Sequence, residues 1–350
     1  MVTATYQKYI LQFKRPSGTS RGVMKTKETW FLFLKDDDRF GIGECGILRG
    51  LSADDHPGYE AKLKWVCENI ELGEAKLLES LEEWPSIQIG VEMAFRSLTS
   101  ADPFELYPSA FTKGTEAIPI NGLIWMGDKT FMKEQIAEKL KHGFTCIKMK
   151  IGAIDFETEL SLLKSIRNEF SANEMELRVD ANGAFSPQNA LEKLKRLAAL
   201  ELHSIEQPIK QGQWEEMAKL CKETPLPIAL DEELIGLFTS KEKKECLETI
   251  QPQYIILKPS LVGGFKKSDE WIGLAASNSI GWWITSALES NIGLNAIAQY
   301  TFTKNSTLPQ GLGTGSLFTN NIDSPLKVRN GSLHYDTHGT WNIDNSNPEF

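Results

Sequence analysis

Short apolar runs that each end on one charged or polar side chain recur through the middle of the chain. They are Cys146-Ile-Lys148-Met-Lys150-Ile, Leu177-Arg-Val-Asp180, Ser204-Ile-Glu206, Ile228-Ala-Leu-Asp231, Ile255-Ile-Leu-Lys258 and Trp282-Trp-Ile-Thr-Ser286. From Lys150 the run ends step to Asp180, Glu206, Asp231, Lys258 and Ser286 at intervals of 30, 26, 25, 27 and 28 residues. That is about the length of one strand-loop-helix-loop unit in a (β/α) barrel of eight units. Helical patterns fill the gaps: near Thr130 to Lys141, stopped by Gly143; over Phe156 to Phe170; after Ser186-Pro187, with Leu191, Leu194 and Ala198 on one face; and over Ile292 to Tyr300. Ile118 to Trp125 reads as the first strand and Thr307 to Gly311 as the eighth. Alternating strands and helices imply a parallel sheet.

The first third reads differently. Tyr9, Leu11 and Phe13 alternate with polar neighbours, Gly18 and Gly22 mark a loop, and Trp30 to Leu34 and Phe40 to Glu44 are further strands. Helical patterns follow at Tyr59 to Ile70 and Ile87 to Leu98. A Pro-, Gly- and Thr-rich loop from Asp102 to Gly114 reads as a domain joint. The division expected is an α+β unit over 1–105, a barrel over 106–315 and a segment over 316–350, with Trp341, that packs back on the first unit.

With 350 residues the length fits a barrel plus an addition. A net charge of −9 disfavours nucleic acid as a partner, and Lys241, Lys243 and Lys244, alternating with Glu242 and Glu245, read as a solvated helix face. No apolar stretch approaches the ~18 residues of a membrane span and no signal peptide opens the chain, so a cytoplasmic protein is expected. The five scattered cysteines make neither a disulfide framework nor a zinc site. Gly41-Ile-Gly43 lacks the third glycine and the strand-to-helix setting of a nucleotide loop, and reads as strand. None of the five histidines ends a strand; His203 starts one.

In a barrel all strand ends meet on one face, which carries the chemistry. Asp180, Glu206 and Asp231 would supply three oxygen ligands from adjacent strands with no His or Cys beside them, which favours Mg²⁺ or Mn²⁺ over Zn²⁺. Lys150 and Lys258 would stand on either side, and Lys148 faces the same way as Lys150 by strand alternation. Desolvation and neighbouring positive charge would lower the pKa of such a lysine and make it a general base. A small carboxylate substrate bound at the metal would lose the proton next to its carboxylate. Return of the proton gives racemisation; loss of a β-leaving group gives elimination. Lysines that merely neutralise the acids are the plainer reading.

Lys148-Met-Lys150, Asp180-Ala-Asn182, Glu206-Gln-Pro208, Asp231-Glu232 and Lys258-Pro-Ser-Leu-Val-Gly-Gly264, in this order, resemble the enolase superfamily and its muconate-lactonising-enzyme subgroup. The superfamily's use of a Lys base with Mg²⁺ is a known pattern. The resemblance implies an α/β fold, a modified (β/α)7β TIM-type barrel with an N-terminal α+β capping domain. Within the subgroup, Ser286 to Leu294, Gly311 to Phe318 and the loop Arg15 to Arg21 are similar to the family of o-succinylbenzoate synthases of menaquinone biosynthesis. What the resemblance implies is Mg²⁺, with Mn²⁺ able to substitute, on Asp180, Glu206 and Asp231. It also implies Lys150 as the group that removes the proton, Lys258 as the cation facing the enediolate, and Lys148 holding the substrate carboxylate. Ser286, Gly311, Gly313 and Asn182 would contact substrate, and the loop from Gly18 to Arg21 would close over it. A racemase or epimerase of the subgroup would use the same lysines. The Asp-x-Asp signature of the dipeptide epimerases is replaced here by Gly311-Leu-Gly-Thr-Gly315. A noncatalytic metal-binding barrel is disfavoured by the presence of all three acids and both lysines, and a homo-oligomer is compatible with the pattern.

Overall fold

The computed structural model describes residues 1–19 and 22–343. An antiparallel sheet opens the chain: β1 (Thr3–Thr19), β2 (Gly22–Asp36) and β3 (Arg39–Cys45), in that order. Where the sequence predicts a loop from Gly18 to Gly22, β1 and β2 still pair, with Thr19 opposite Gly22; residues 20–21, and with them part of the expected closing loop, lie outside the described residues. Three helices follow, α1 (Tyr59–Glu68), α2 (Gly73–Glu79) and α3 (Pro85–Thr99). Trp30, Leu32 and Leu34 on one face of β2 pack with Leu63, Val66, Val91 and Ala94 of these helices. The opposite face, with Phe31 and Phe33, meets Ile292 and Phe104. Gly41 and Gly43 are small because α3 crosses β3 there. A Cβ on Gly43 would lie 1.9 Å from the carbonyl oxygen of Gly90, and one on Gly41 2.4 Å from that of Ala94.

The expected first barrel strand is divided. β4 (Ile118–Pro119) pairs antiparallel with β13 (Ser332–Tyr335) of a hairpin whose other strand is β12 (Leu326–Arg329). β5 (Gly122–Ile124) then starts a parallel sheet that continues through β6 (Cys146–Lys150), β7 (Glu176–Asp180), β8 (Ser204–Glu206), β9 (Ile228–Leu230), β10 (Tyr254–Leu257) and β11 (Gly281–Ile284), in sequential order. The eighth position is only a pair of parallel bridges, Ile120 with Gln310 and Thr285 with Gly311, and these join the two sheet edges. The barrel helices are α4 (Lys129–Lys141), α5 (Phe156–Glu169), α6 (Pro187–Ala198), α7 (Trp214–Glu223), α8 (Ser240–Ile250), α9 (Pro259–Val262), α10 (Gly264–Ser277) and α11 (Asn291–Phe302). Ser186 stands at the N-cap of α6, as its sequence suggests, but its side chain makes no capping bond. Trp341 stacks on Phe104 at 4.5 Å, and Phe318 packs on Phe13 at 4.7 Å.

Strand alternation sorts the barrel residues. Ile147, Met149, Leu177, Val179, Ile205, Ile228, Leu230, Ile255 and Leu257 join the core shared with the helices. On β6 to β8 the alternate residues Lys148, Lys150, Arg178, Asp180, Ser204 and Glu206 are buried and polar, whereas on β9 to β11 Ala229, Ile256 and Trp283 make a small apolar cluster. Deep in the barrel the Arg178 guanidinium lies 4.3 Å from the Trp283 ring, and His203 packs on Tyr254 at 4.9 Å. One charge reading changes: Lys243 is fully buried and ion-paired with Glu270 at 2.5 Å between α8 and α10, so this face is not simply solvated. Alternating charges along a helix do not reveal which one turns inward. Among the described residues no helix is long and apolar enough to cross a membrane.

Gly43→Ala should lower stability by about 1–3 kcal/mol, because the methyl must push α3 off the sheet. Denaturant unfolding checks this. A loss under roughly 0.5 kcal/mol, the level of an ordinary surface change, would show that the contact is not tight.

Candidate active site

Parallel pairing fixes the heights of the charged residues. Lys150 lies opposite Asp180, and Asp180 opposite Glu206, so the three stand level on adjacent strands. Lys148 points the same way, one layer deeper. Asp231 and Lys258 follow directly on β9 and β10. Asp180 is fully buried, and Glu206 and Asp231 nearly so.

The acids and lysines interleave. Lys150 Nζ donates to Asp180 Oδ2 at 2.8 Å. Lys148 Nζ donates to Glu206 Oε2 and lies 3.4 Å from Asp180 Oδ2. Lys258 Nζ donates to Asp231 Oδ2 and lies 3.7 Å from Glu206 Oε1. Each neighbouring pair of carboxylates is thus bridged by one ammonium. Among the described residues no three acidic, His or Cys side chains are drawn together as a finished metal cage.

Burial opposes ionisation throughout, and the partners decide the outcome. For Asp180 burial pushes the pKa up, but Lys150, Lys148 and Lys258 outweigh it and hold the carboxyl well below its usual range. Asp231 is held low in the same way, by Lys258 against burial. Glu206 goes the other way: burial and the charges of Asp180 and Asp231 push it up to about 8, against Lys148 and Lys258. The expected lowering of the lysine pKa is not what these contacts do to Lys148 and Lys258. Burial lowers both, but Glu206 and Asp180 raise Lys148, and Asp231 and Glu206 raise Lys258, beyond that effect. Carboxylate partners outweigh desolvation and like charge here.

The donor set fits a hard divalent cation: it is all oxygen, comes from three strands, and repels itself. Among the described residues nothing donates a hydrogen bond to the buried Glu206 Oε1, and cationic nitrogen already lies between the acids. Asn182 reaches Lys150 rather than only facing outward. Its Oδ1 accepts from Lys150 Nζ at 2.8 Å and its Nδ2 donates to Glu232 Oε1 at 2.9 Å. Its backbone is left-handed, φ 44°, which lets its N–H reach back to Asp180 Oδ1 at 3.0 Å. Gln207, φ 38°, has a similar supporting place. Its Oε1 accepts from the backbone N–H of Asp231 at 3.2 Å and its Nε2 donates to Glu233 at 3.0 Å. Gln207 was visible only as part of the Glu-Gln-Pro run; its hold on the next strand end is a three-dimensional fact. Trp125, with Lys150 Nζ 6.0 Å from its ring, also went unread, because a strand-end tryptophan looks like core.

A cavity of about 450 Å³ lies between the first sheet and the barrel end. Lys148, Lys150, Asp180, Asn182 and Lys258 line it, together with Trp125. Ser286, Gly311 and Gly313 line it as well, while Glu206 and Asp231 stand behind the lysines. Gly311 has a packing reason for its size: a Cβ there would be 2.4 Å from Thr285 Oγ1, where the eighth strand crosses. Lys14, Arg15, Met24 and Leu48 cover the cavity from the first unit. The volume suits a small molecule.

The family described as "Enolase C-terminal domain-like" matches residues 132–340. A curated o-succinylbenzoate synthase from Desulfotalea psychrophila is 48% identical over 94% of this chain and 98% of its own length. This chain belongs to the enolase superfamily, in the o-succinylbenzoate synthase family. The crystal structure of MenC from Desulfotalea psychrophila superposes with a TM-score of 0.85 at 44% identity, covering 95% of this chain and 99% of that one. The N-succinylamino acid racemase of Thermus thermophilus is 35% identical over 45% of this chain and 40% of its own. The L-Ala-D/L-Glu epimerase of Bacillus subtilis, with a TM-score of 0.82 at 18% identity over 95% of both chains, shares the fold.

Lys148→Met should remove about 3–5 kcal/mol of stability when measured in chelator, because Glu206 and Asp180 lose their shared ammonium. Lys148→Met/Glu206→Gln should recover most of that loss. A double variant no more stable than the single would show that the pair is not coupled.

Proposed function

We propose that this chain is an o-succinylbenzoate synthase, a Mg²⁺-dependent hydro-lyase. It takes water from 2-succinyl-6-hydroxy-2,4-cyclohexadiene-1-carboxylate to give o-succinylbenzoate, a step of menaquinone biosynthesis. The observation that carries this reading is the near full-length identity to a curated synthase. The interleaved lysines and carboxylates on the cavity wall supply the chemistry the reaction needs.

Asp180, Glu206 and Asp231 would hold the Mg²⁺. Bound there, it would supply positive charge to the substrate carboxylate and favour the enediolate that proton loss creates. Lys150, on the cavity wall, takes the proton from the ring carbon that bears the carboxylate. The same ammonium then returns a proton to the departing ring hydroxyl, so that water leaves from the same face and the ring becomes aromatic. A base and an acid in one side chain account for a syn elimination. Asn182 holds Lys150 through its amide oxygen and so limits where Nζ points. Lys258 also lines the cavity, paired with Asp231, and would offer a positive charge to the enediolate. Lys148, kept protonated by Glu206 and Asp180, offers a second near the carboxylate. The residues from β1 and β2 that cover the cavity would keep water from the intermediate.

A racemase reading has one observation behind it: Lys150 and Lys258 both reach the cavity, as a proton exchange on two faces requires. Product ultraviolet absorbance with purified protein, Mg²⁺ and the cyclohexadiene separates the two. The synthase reading expects rapid formation of o-succinylbenzoate. No product, with racemisation of N-succinylamino acids, would overturn it.

Lys150→Ala should lower kcat by roughly 10³-fold or more with the circular dichroism spectrum unchanged. Substantial remaining kcat would remove Lys150 from the base role. Asp231→Asn should raise the Mg²⁺ concentration for half-maximal activity at least about tenfold. An unchanged Mg²⁺ requirement would remove Asp231 from the ligand set.

A further inference from the structure

A second buried charge cluster lies beside the cavity and takes no part in the proton transfers. Glu289 is fully buried just after β11. Its Oε1 accepts from the Ser260 hydroxyl, in the helix that follows Lys258, and its Oε2 accepts from the Ser286 hydroxyl, each at 2.5 Å. Ser286 Oγ in turn accepts from the backbone N–H of Leu288 at 3.1 Å and from Thr314 Oγ1 at 2.8 Å. One carboxylate thus ties together the ends of the sixth, seventh and eighth barrel strands. Ser286 and Thr314 are cavity wall.

This arrangement commits the Ser286 proton. A hydroxyl has one hydrogen to donate, and here it goes to Glu289. Ser286 therefore has no hydrogen left for a substrate carboxylate, and its effect on the substrate runs through the shape of the wall.

Two hydroxyl donors are little compensation for a carboxylate taken fully out of water. The nearby cation is Lys27, on β2 of the first unit. It is 4% exposed and its Nζ makes no hydrogen bond among the described residues. The charges that act on it are those of Glu44 and Glu289. Glu44 is already well satisfied: it accepts from Thr29 Oγ1 at 2.8 Å, from the backbone N–H groups of Ser290 and Gly293 at 2.9 Å, and from the Ser290 hydroxyl. Glu44 lies between the two: a Cβ on Gly46 would meet Lys27 Nζ at 2.9 Å and Glu44 Oε1 at 3.6 Å, and a Cβ on Gly293 would meet Glu44 Oε2 and Glu289 Cβ, each at 2.8 Å. Burial drives Glu289 up and Lys27 down, each toward its neutral form; Lys27 opposes this in Glu289, and Glu44 and Glu289 oppose it in Lys27, without overcoming it.

We propose that Glu289 is a positioning residue that fixes the Ser286–Thr314 wall of the substrate cavity, and that Lys27, beside Glu44, is the charge with which the capping unit faces this pair of carboxylates. Cap and wall are then one electrostatic unit. Lys27 then acts on the pocket without lining it. The identity of the ligand rests on the synthase reading; the wall geometry does not.

The test uses the full chain with Mg²⁺, steady-state kinetics on the cyclohexadiene and calorimetric binding of o-succinylbenzoate. Glu289→Gln and Lys27→Met should each raise KM and the product Kd about tenfold, the scale of a lost hydrogen bond to a charged group. The kcat should fall less than about threefold. In a Ser286→Ala background the effect of Glu289→Gln should shrink to under about threefold, because the wall residue through which it acts is gone. A variant with a lowered Tm and unchanged KM has lost only stability, and that result overturns the proposal. If Glu289→Gln does not fold, Lys27→Met/Glu289→Gln decides: product binding as tight as in the unaltered chain overturns the proposal, and binding weakened about tenfold supports it. An unaltered chain that neither turns over the cyclohexadiene nor binds o-succinylbenzoate counts against the synthase reading instead. The crystal structure of whichever of these two Glu289 variants folds then decides on geometry. A Ser286 or Thr314 side chain turned from its present rotamer supports the proposal, and an unmoved wall overturns it.

Discussion

Carboxylate and ammonium alternate across five adjacent strand ends in a space nearly free of solvent, and the rest of the molecule is arranged around keeping them there. Lys150, Asp180, Lys148, Glu206, Lys258 and Asp231 form an unbroken chain of ion pairs. None of these charges could be buried alone without neutralising itself. Glu206, pressed between two other carboxylates, is the one pushed furthest toward its neutral form. The same crowding of three mutually repelling carboxylates that makes the cluster costly is what makes it a place for a divalent cation.

Two constraints hold the cluster together. The parallel register sets Lys150, Asp180 and Glu206 level, so that one lysine can meet two acids. Closure of the barrel through the short eighth strand, with Gly311 pressed against Thr285, brings the last wall round to the first. The first sheet then covers the opening. Glu44 from β3 accepts from the N-terminal N–H groups of α11, which fastens the cap to the barrel by a helix end as well as by apolar packing.

Much of this was legible in the sequence because a strand end has a simple signature. An apolar run closed by one charge, repeated every 25 to 30 residues, identifies both the barrel and the face on which the charges gather. The interleaving was not legible. Spacing places Lys148 on the same side as Lys150, but not between Asp180 and Glu206, and so it does not show that these carboxylates outweigh burial and raise its pKa. Asn182 and Gln207 owe their roles to left-handed backbone turns after β7 and β8, which no periodicity reports. Lys243 looked like one more solvated charge because its partner, Glu270, sits 27 residues away on another helix. Lys27 escaped for a similar reason, as a strand lysine whose surroundings come from elements far along the chain.

A crystal structure of the protein with Mg²⁺ and o-succinylbenzoate tests the account most directly. It should show one ion with an oxygen from each of Asp180, Glu206 and Asp231 at about 2.0–2.2 Å, and the product carboxylate between that ion and the Lys150 and Lys148 ammoniums. An ion bound elsewhere, with the lysines still lying between the three carboxylates beside bound product, would contradict it.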